Sequence, residues 1–201
     1  MIEVERKFAL TEESERALTR DAEFVKEKSF LDVYYDTASY LLTTRDLWLR
    51  ERDRRFELKL PLHGKDRTDF SATRYREIDD ETGIRQELEI PMRGELLDDL
   101  EEEGYQPFCY ITTVRRKYRK NGFTIDCDTV TSDDDFSYRV GEVEMIVEDE
   151  SQMGEAQTQI EKFLTDHGIE LKLVRGKILE YLKQKRPEHF QALVEAGGIK
   201  E

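Results

Sequence analysis

The feature that most constrains this chain is two-residue alternation, repeated along most of its length. Residues 2–8 set Ile2, Val4 and Phe8 against Glu3, Glu5 and Lys7. Residues 47–52 oppose Leu47 and Leu49 to Trp48, Arg50 and Arg52, and residues 56–60 oppose Phe56, Leu58 and Leu60 to Glu57 and Lys59. Shorter runs at 34–36, 75–77, 113–119, 123–128 and 138–147 read the same way. Successive side chains on a strand point to opposite faces, so this pattern predicts a large, mostly antiparallel sheet with one apolar and one polar face. Helix signals supply the cover for the apolar face. Thr11 is placed as an N-cap before a stripe of Ala17, Leu18, Ala22 and Val25, and Leu96, Leu97 and Leu100 precede a stop at Gly104. Ser151 opens a helix with Ala156, Ile160, Phe163 and Leu164 inward; Ile178, Tyr181 and Leu182 mark another, and Pro187 starts a last one. Sheet plus covering helices is an α+β arrangement, and 201 residues without linker or repeat are expected to form one domain, 1–201.

The polar face is unusual for the charges it collects. Carboxylates fall in i, i+2 pairs, Glu3/Glu5, Asp126/Asp128 and Glu142/Glu144, and the same parity gathers Lys7, Arg50, Arg52, Lys59, Arg115, Lys117 and Arg119. Residues two apart on a strand lie roughly 6.5–7 Å apart on one face. Carboxylates that close favour a cation and guanidinium groups that close favour an anion, so the set suits a metal-bound polyphosphate. Any one pair alone is commonplace on a solvated strand; recurrence on five strands opposite the core is not.

Composition narrows the alternatives. With 46 Asp+Glu against 32 Lys+Arg the net charge is −14, which disfavours nonspecific binding to nucleic acid or anionic membrane. Apolar runs are too short for a transmembrane span, and the charged start lacks the apolar stretch of a signal peptide. Cys109 and Cys127 indicate neither a zinc site nor a disulfide scaffold, so a cytoplasmic, reduced protein is expected. Asp126-Cys127-Asp128 lacks the Gly and Glu of a calcium loop, since Thr131 and Ser137 stand there. Gly64-Lys65 and Gly176-Lys177 lack the P-loop spacing, and His63, His167 and His189 are scattered. Asp133 to Asp135 reads as a solvated turn. No apolar stripe is left over, so a monomer is expected.

In order along the chain, Glu3-Val4-Glu5-Arg6-Lys7-Phe8 is followed by Tyr34-Tyr35-Asp36-Thr37, Trp48-Leu49-Arg50-Glu51-Arg52 and Glu57-Leu58-Lys59. Tyr75-Arg76-Glu77, Arg115, Asp126-Cys127-Asp128, Gly141-Glu142-Val143-Glu144 and Lys177 complete the series. This ordered set resembles the CYTH superfamily, the triphosphate tunnel metalloenzymes, and Trp48 with the stretch Lys177 to Leu193 is similar to the thiamine triphosphatases within it. The resemblance implies an eight-stranded antiparallel β-tunnel with helices on the outside. It also implies Mg²⁺-dependent hydrolysis of thiamine triphosphate to thiamine diphosphate and phosphate. It assigns Lys7, Arg50, Arg52, Lys59, Arg115 and Lys177 to the triphosphate, and Glu3, Glu5, Glu77, Asp126, Asp128, Glu142 and Glu144 to the metal. Tyr34 and Lys59 match a pair that activates the attacking water, and Trp48 a residue that stacks on thiamine. The segment His63 to Arg67, and Val114 where a Lys is common, depart from the family pattern. An inorganic triphosphatase or a soluble adenylate cyclase on the same scaffold, or a polyphosphate-binding module without turnover, are the competing expectations.

The chemistry accounts for the residue types. Phosphoanhydride hydrolysis needs positioning and charge neutralisation more than covalent help. Arg clamps phosphate bidentately and Lys supplies a compact cation. Mg²⁺ takes one or two carboxylates and keeps waters, so most of the seven acids are expected to orient waters and basic side chains. A tyrosine, with an ordinary pKa near 10, needs a neighbouring cation to act as a base.

Overall fold

A computed structural model of the chain describes residues 2–61, 75–197 and 199; the expectations for His63 to Arg67 lie outside the described residues. The strands are β1 (Ile2–Ala9), β2 (Glu23–Thr37), β3 (Trp48–Arg52), β4 (Arg55–Pro61), β5 (Tyr75–Ile78), β6 (Tyr105–Lys120), β7 (Phe123–Thr131) and β8 (Ser137–Val147). The helices are α1 (Glu12–Thr19), α2 (Glu81–Leu88), α3 (Leu96–Glu102), α4 (Met153–Asp166), α5 (Lys177–Lys185) and α6 (Pro187–Glu195). Among the described residues these eight strands form one sheet in the order β1-β8-β7-β6-β2-β3-β4-β5. The β1/β8, β7/β8, β2/β3, β3/β4 and β4/β5 pairs run antiparallel in defined register. The α+β class with an eight-stranded antiparallel sheet and helices on its apolar face is therefore the observed architecture. No described helix is long and apolar enough to cross a membrane. The chain divides into two compact units, one built on Met1–Ser29 and Thr113–Tyr181, the other on Phe30–Leu62, Tyr75–Thr112 and Leu182–Glu201.

In the first unit, Val4, Phe8, Ile125, Cys127, Val143 and Val147 form an apolar face covered by Leu18 of α1 and by Ala156, Ile160, Phe163 and Leu164 of α4. The α4 positions recur every three or four residues, so one stripe faces the sheet. Truncating the fully buried Ile160 to Ala is expected to cost about 2–5 kcal/mol. Gly141 is fixed by register: it pairs with Phe8, and a Cβ there would lie 2.0 Å from that ring. Arg6 shares the buried parity of Val4 and Phe8 and is answered by Glu161 of α4 at 2.6 Å. The sequence expectation for α1 needs correction. Thr11 does cap it, through Ser14, but the helix ends at Thr19, the chain turns at Asp21 with φ 59°, and β2 begins at Glu23. Ala22 and Val25 therefore lie off the helix, with only Ser14 and Leu18 buried from it. β6 likewise starts at Tyr105, earlier than the alternation from 113 suggested.

In the second unit, Val33, Leu49, Leu58 and Leu60 of the sheet lie with Ile84 of α2 and Leu96 and Leu100 of α3 in one apolar cluster. α2 was not anticipated. Its hydrophobic signal is thin, and Gly83 interrupts it, but Asp80 caps it by accepting from the Gly83 backbone N–H at 2.7 Å. The α2/α3 connection is held by Arg85, which reaches Asp99 at 2.5 Å and the Pro91 and Gly94 carbonyls at 3.0 and 2.9 Å. β3 and β4 join through Asp53 and Arg54, both with positive φ, the twist that a tight hairpin requires.

Candidate active site

The polar face of each unit is assembled by register. In the first unit Glu5 pairs with Glu144 and Lys7 with Glu142 across β1/β8, while Asp126 pairs with Glu142 across β7/β8. Directly opposed residues of an antiparallel pair share a face, so these acids converge. Arg115 of β6 joins them. Its Nε and Nη2 donate to the two oxygens of Asp128 at 2.7 Å each, Nη2 also to Glu142 at 3.1 Å, and Nη1 lies 2.5 Å from Asp126. Lys117 lies 3.1 Å from Asp126 and 3.0 Å from Glu144, and Lys7 bonds Glu5 and lies 3.5 Å from Glu142. Among the described residues, five carboxylates thus share three cations. Lys177, the first residue of α5, donates to Thr113 Oγ1 at 2.9 Å in the same unit. Glu3 continues the parity at an exposed position of β1, opposite Ile146.

Burial and crowding tune this cluster. Desolvation, with Glu144 adding to it, lifts the Asp126 carboxyl to about 6 against the pull of Arg115 and Lys117. Burial works against the charges of Arg115 and Lys117, but the surrounding carboxylates outweigh it and raise both. Both Asp126 oxygens are buried and lie within ion-pair distance of cations, Oδ2 beside Arg115 and Oδ1 beside Lys117.

The second unit builds a different face. Tyr34 opposes Arg50 and Asp32 opposes Arg52 across β2/β3; Trp48 opposes Lys59 and Arg50 opposes Glu57 across β3/β4; Lys59 opposes Glu77 across β4/β5. Each cation has its own acid here. Arg52 grips Asp32 through two hydrogen bonds, 2.6 and 2.9 Å, Arg50 meets Glu57 at 2.5 and 2.8 Å, and Lys59 meets Glu77 at 2.6 Å. Burial opposes the Glu77 charge, but the Lys59 pair wins and holds its carboxyl below the usual range. Arg52 also lies 4.0 Å over the Phe30 ring. Tyr34 is buried, and desolvation, helped by Asp32, raises its phenol well above 10 despite Arg50 and Arg52. Trp48 is buried outside the apolar cluster that takes Leu47 and Leu49. Its indole Nε1 donates to Asp46 at 3.0 Å.

A model of the CYTH domain matches residues 1–175. The chain belongs to the CYTH family. Human thiamine-triphosphatase is 31% identical to this CYTH protein over all of the chain and 93% of the human protein. A Pyrococcus horikoshii structure superposes with a TM-score of 0.62 at 24% identity, covering 92% of this chain and 99% of that one. The Hippeastrum protein HpAC1, whose structure is described as revealing a dominant triphosphatase activity, superposes at 0.59 with 16% identity, covering 91% and 96%.

The CYTH chain brings together, within each unit, most of the residues singled out by alternation or by the family resemblance: Lys7, Glu5, Arg115, Asp126, Asp128, Glu142 and Glu144 in the first, and Tyr34, Trp48, Arg50, Arg52, Lys59 and Glu77 in the second. Sequence reasoning set Glu57 beside Lys59 without giving it a role, and left out Asp32 and Asp46. Asp32 carries the Tyr34 parity, so it was findable; Asp46 precedes its strand and carries no alternation signal. Among the described residues no group of three His, Cys, Asp or Glu side chains surrounds one metal position. The donor chemistry is nonetheless that of a hard cation. All five clustered acids offer oxygen, and both Asp126 oxygens are buried beside Arg115 and Lys117. A hard divalent metal ion, which takes oxygen ligands and completes its shell with water, fits that set.

Proposed function

We propose that this CYTH protein hydrolyses thiamine triphosphate to thiamine diphosphate and phosphate with Mg²⁺, in the cytoplasm, where its two buried free cysteines stay reduced. The observation that carries the reading is the register-built convergence of opposite charges on the polar faces of a CYTH chain, joined to 31% identity with a human thiamine-triphosphatase. The family pattern assigns Lys7, Arg115 and Lys177, and likewise Arg50, Arg52 and Lys59, to the triphosphate, and each set offers phosphate a cationic face within its own unit. Oxygen acceptors, carboxylates for most of them and Thr113 for Lys177, hold these cations in place beforehand, so binding exchanges one oxygen acceptor for another with little reorganisation.

Asp126, Asp128, Glu142 and Glu144, with Glu5, would hold or organise Mg²⁺ and Glu3 would order its waters, while Glu77 would orient Lys59 in the second unit. Bound there, the metal would neutralise phosphate charge. Tyr34 and Lys59 are the pair that activates the attacking water in this reading. Burial and Asp32 keep the phenol protonated despite Arg50 and Arg52, so Tyr34 orients the water by donating a hydrogen bond, and a phosphate oxygen takes the water's proton. Trp48 offers its indole to the thiazolium, a permanent cation, an attraction worth about 0.5–2 kcal/mol.

Side-by-side turnover of thiamine triphosphate, inorganic triphosphate and ATP tests the assignment. The highest kcat/KM is expected on thiamine triphosphate; a clear preference for inorganic triphosphate or for cyclisation of ATP would replace it.

A further inference from the structure

Asp46 is the residue that neither the alternation nor the family pattern singles out, yet three elements of the second unit meet at its carboxylate. Its Oδ1 accepts from Trp48 Nε1 at 3.0 Å and from the Tyr75 hydroxyl at 2.9 Å. Trp48 starts β3 and Tyr75 starts β5, with Lys59 of β4 between them: Lys59 opposes Trp48 in register and its ammonium lies 5.9 Å from the Tyr75 ring centre. The carboxylate therefore fixes the rotation of an indole and the position of a phenol at one end of the polar face.

The chain spends backbone conformation to put it there. Asp46 sits in the left-handed region, φ 62° and ψ 26°, which non-glycine residues seldom adopt. It is locked in place from behind. Asp36 accepts from the Leu42 and Thr43 backbone N–H groups at 2.9 Å each and from the Thr43 hydroxyl at 2.7 Å. The turn Thr43–Arg45 closes when the Asp46 N–H donates to the Thr43 carbonyl at 3.0 Å. A β2 carboxylate thus sets the turn, and the turn aims a second carboxylate at Trp48 and Tyr75.

We propose that Asp46 is a positioning residue for substrate specificity: by holding Trp48 and Tyr75 in one orientation it presents their rings to the organic cation of the substrate. The inference rests on the thiamine triphosphate reading. Inorganic triphosphate has no organic end and gains nothing from the arrangement.

Two variants separate the role from folding. Asp46→Gly removes the carboxylate at a position whose backbone suits glycine, and Asp46→Asn keeps an oxygen that accepts both hydrogen bonds. Asp46→Gly is expected to raise KM for thiamine triphosphate about tenfold, leaving kcat, and both constants for inorganic triphosphate, within about twofold. Asp46→Asn should restore KM to within about threefold of wild type. Trp48 is the only tryptophan, so its fluorescence reports the indole directly. Its emission should shift in Asp46→Gly and return in Asp46→Asn. If wild type prefers thiamine triphosphate and Asp46→Gly keeps that preference, the inference is wrong while the functional reading stands. If Asp46→Gly weakens both substrates equally, Asp46 serves packing alone. A wild type with no preference for thiamine triphosphate overturns the functional reading itself, visibly before any variant is compared.

Discussion

The two polar faces are built by the same register rule and end up chemically unlike. On β1, β6, β7 and β8, five carboxylates among the described residues share Arg115, Lys117 and Lys7, one guanidinium serves three acids, and burial lifts the Asp126 carboxyl to about 6. On β2 to β5, among the described residues, Arg50 pairs with Glu57, Arg52 with Asp32 and Lys59 with Glu77, and aromatic side chains stand beside them. Among the described residues the first face carries more acids than cations, which suits a further cation; a balanced face with Tyr34, Trp48 and Tyr75 suits a phosphate attached to something flat and organic. One sheet pattern therefore supports two tasks, and the difference lies in how many acids each cation must answer.

The largest effect should come from the overworked guanidinium. Arg115→Ala leaves Asp126, Asp128 and Glu142 without their common partner, and about 10³-fold should be lost from kcat/KM, with folding stability lowered by about 3–5 kcal/mol in urea denaturation. A loss no greater than that of Arg52→Ala, which strands a single acid, would erase the contrast. Next comes Tyr34→Phe, expected to cut kcat by about 10²-fold with KM nearly unchanged; an unaltered kcat would remove Tyr34 from the chemistry.

Metal response should divide the faces. Asp126→Asn is expected to raise the Mg²⁺ concentration for half-maximal rate by about 10–100-fold, whereas Trp48→Ala should leave it unchanged. Trp48→Ala should instead raise KM for thiamine triphosphate about 2–30-fold and spare inorganic triphosphate. Equal losses on both substrates would assign Trp48 to packing.

The smallest effect is a pH response confined to the second unit. His189 is buried, stacked on Tyr40 at 3.8 Å and 2.7 Å from the Thr43 hydroxyl, and burial, aided by Arg186, lowers its pKa to about 4 against the pull of Asp36. The unfolded chain takes up that proton near 6.5, so the stability from neutral His189 is fully present above about 6.5 and is lost as pH falls toward about 4. His189→Gln should flatten the melting-temperature profile across that window; an unchanged profile would exclude the histidine as its source.

Strand positions and most of the charged residues were legible because period two carries both the fold and the face. The same rule explains the gaps. α2 has one fully buried apolar residue, Ile84, so helical periodicity had nothing to register, and its capping Asp80 was the only local signal. α1 was read too long because Ala22 and Val25 keep a helical spacing that the turn at Asp21 overrides. Sharing was equally invisible. Sequence shows that Arg115 shares a face with acids but not that three of them reach it, and Asp46 acts through a turn whose geometry Asp36 sets. Alternation reports which way a side chain points and says nothing about which neighbour it meets.

The most direct trial of the account is phosphate release from thiamine triphosphate by the purified protein, with Mg²⁺ and then with EDTA. Release that depends on the metal and returns when Mg²⁺ is restored is the expected result. Tight triphosphate binding without any release, with or without metal, would contradict it and leave a binding protein in place of an enzyme.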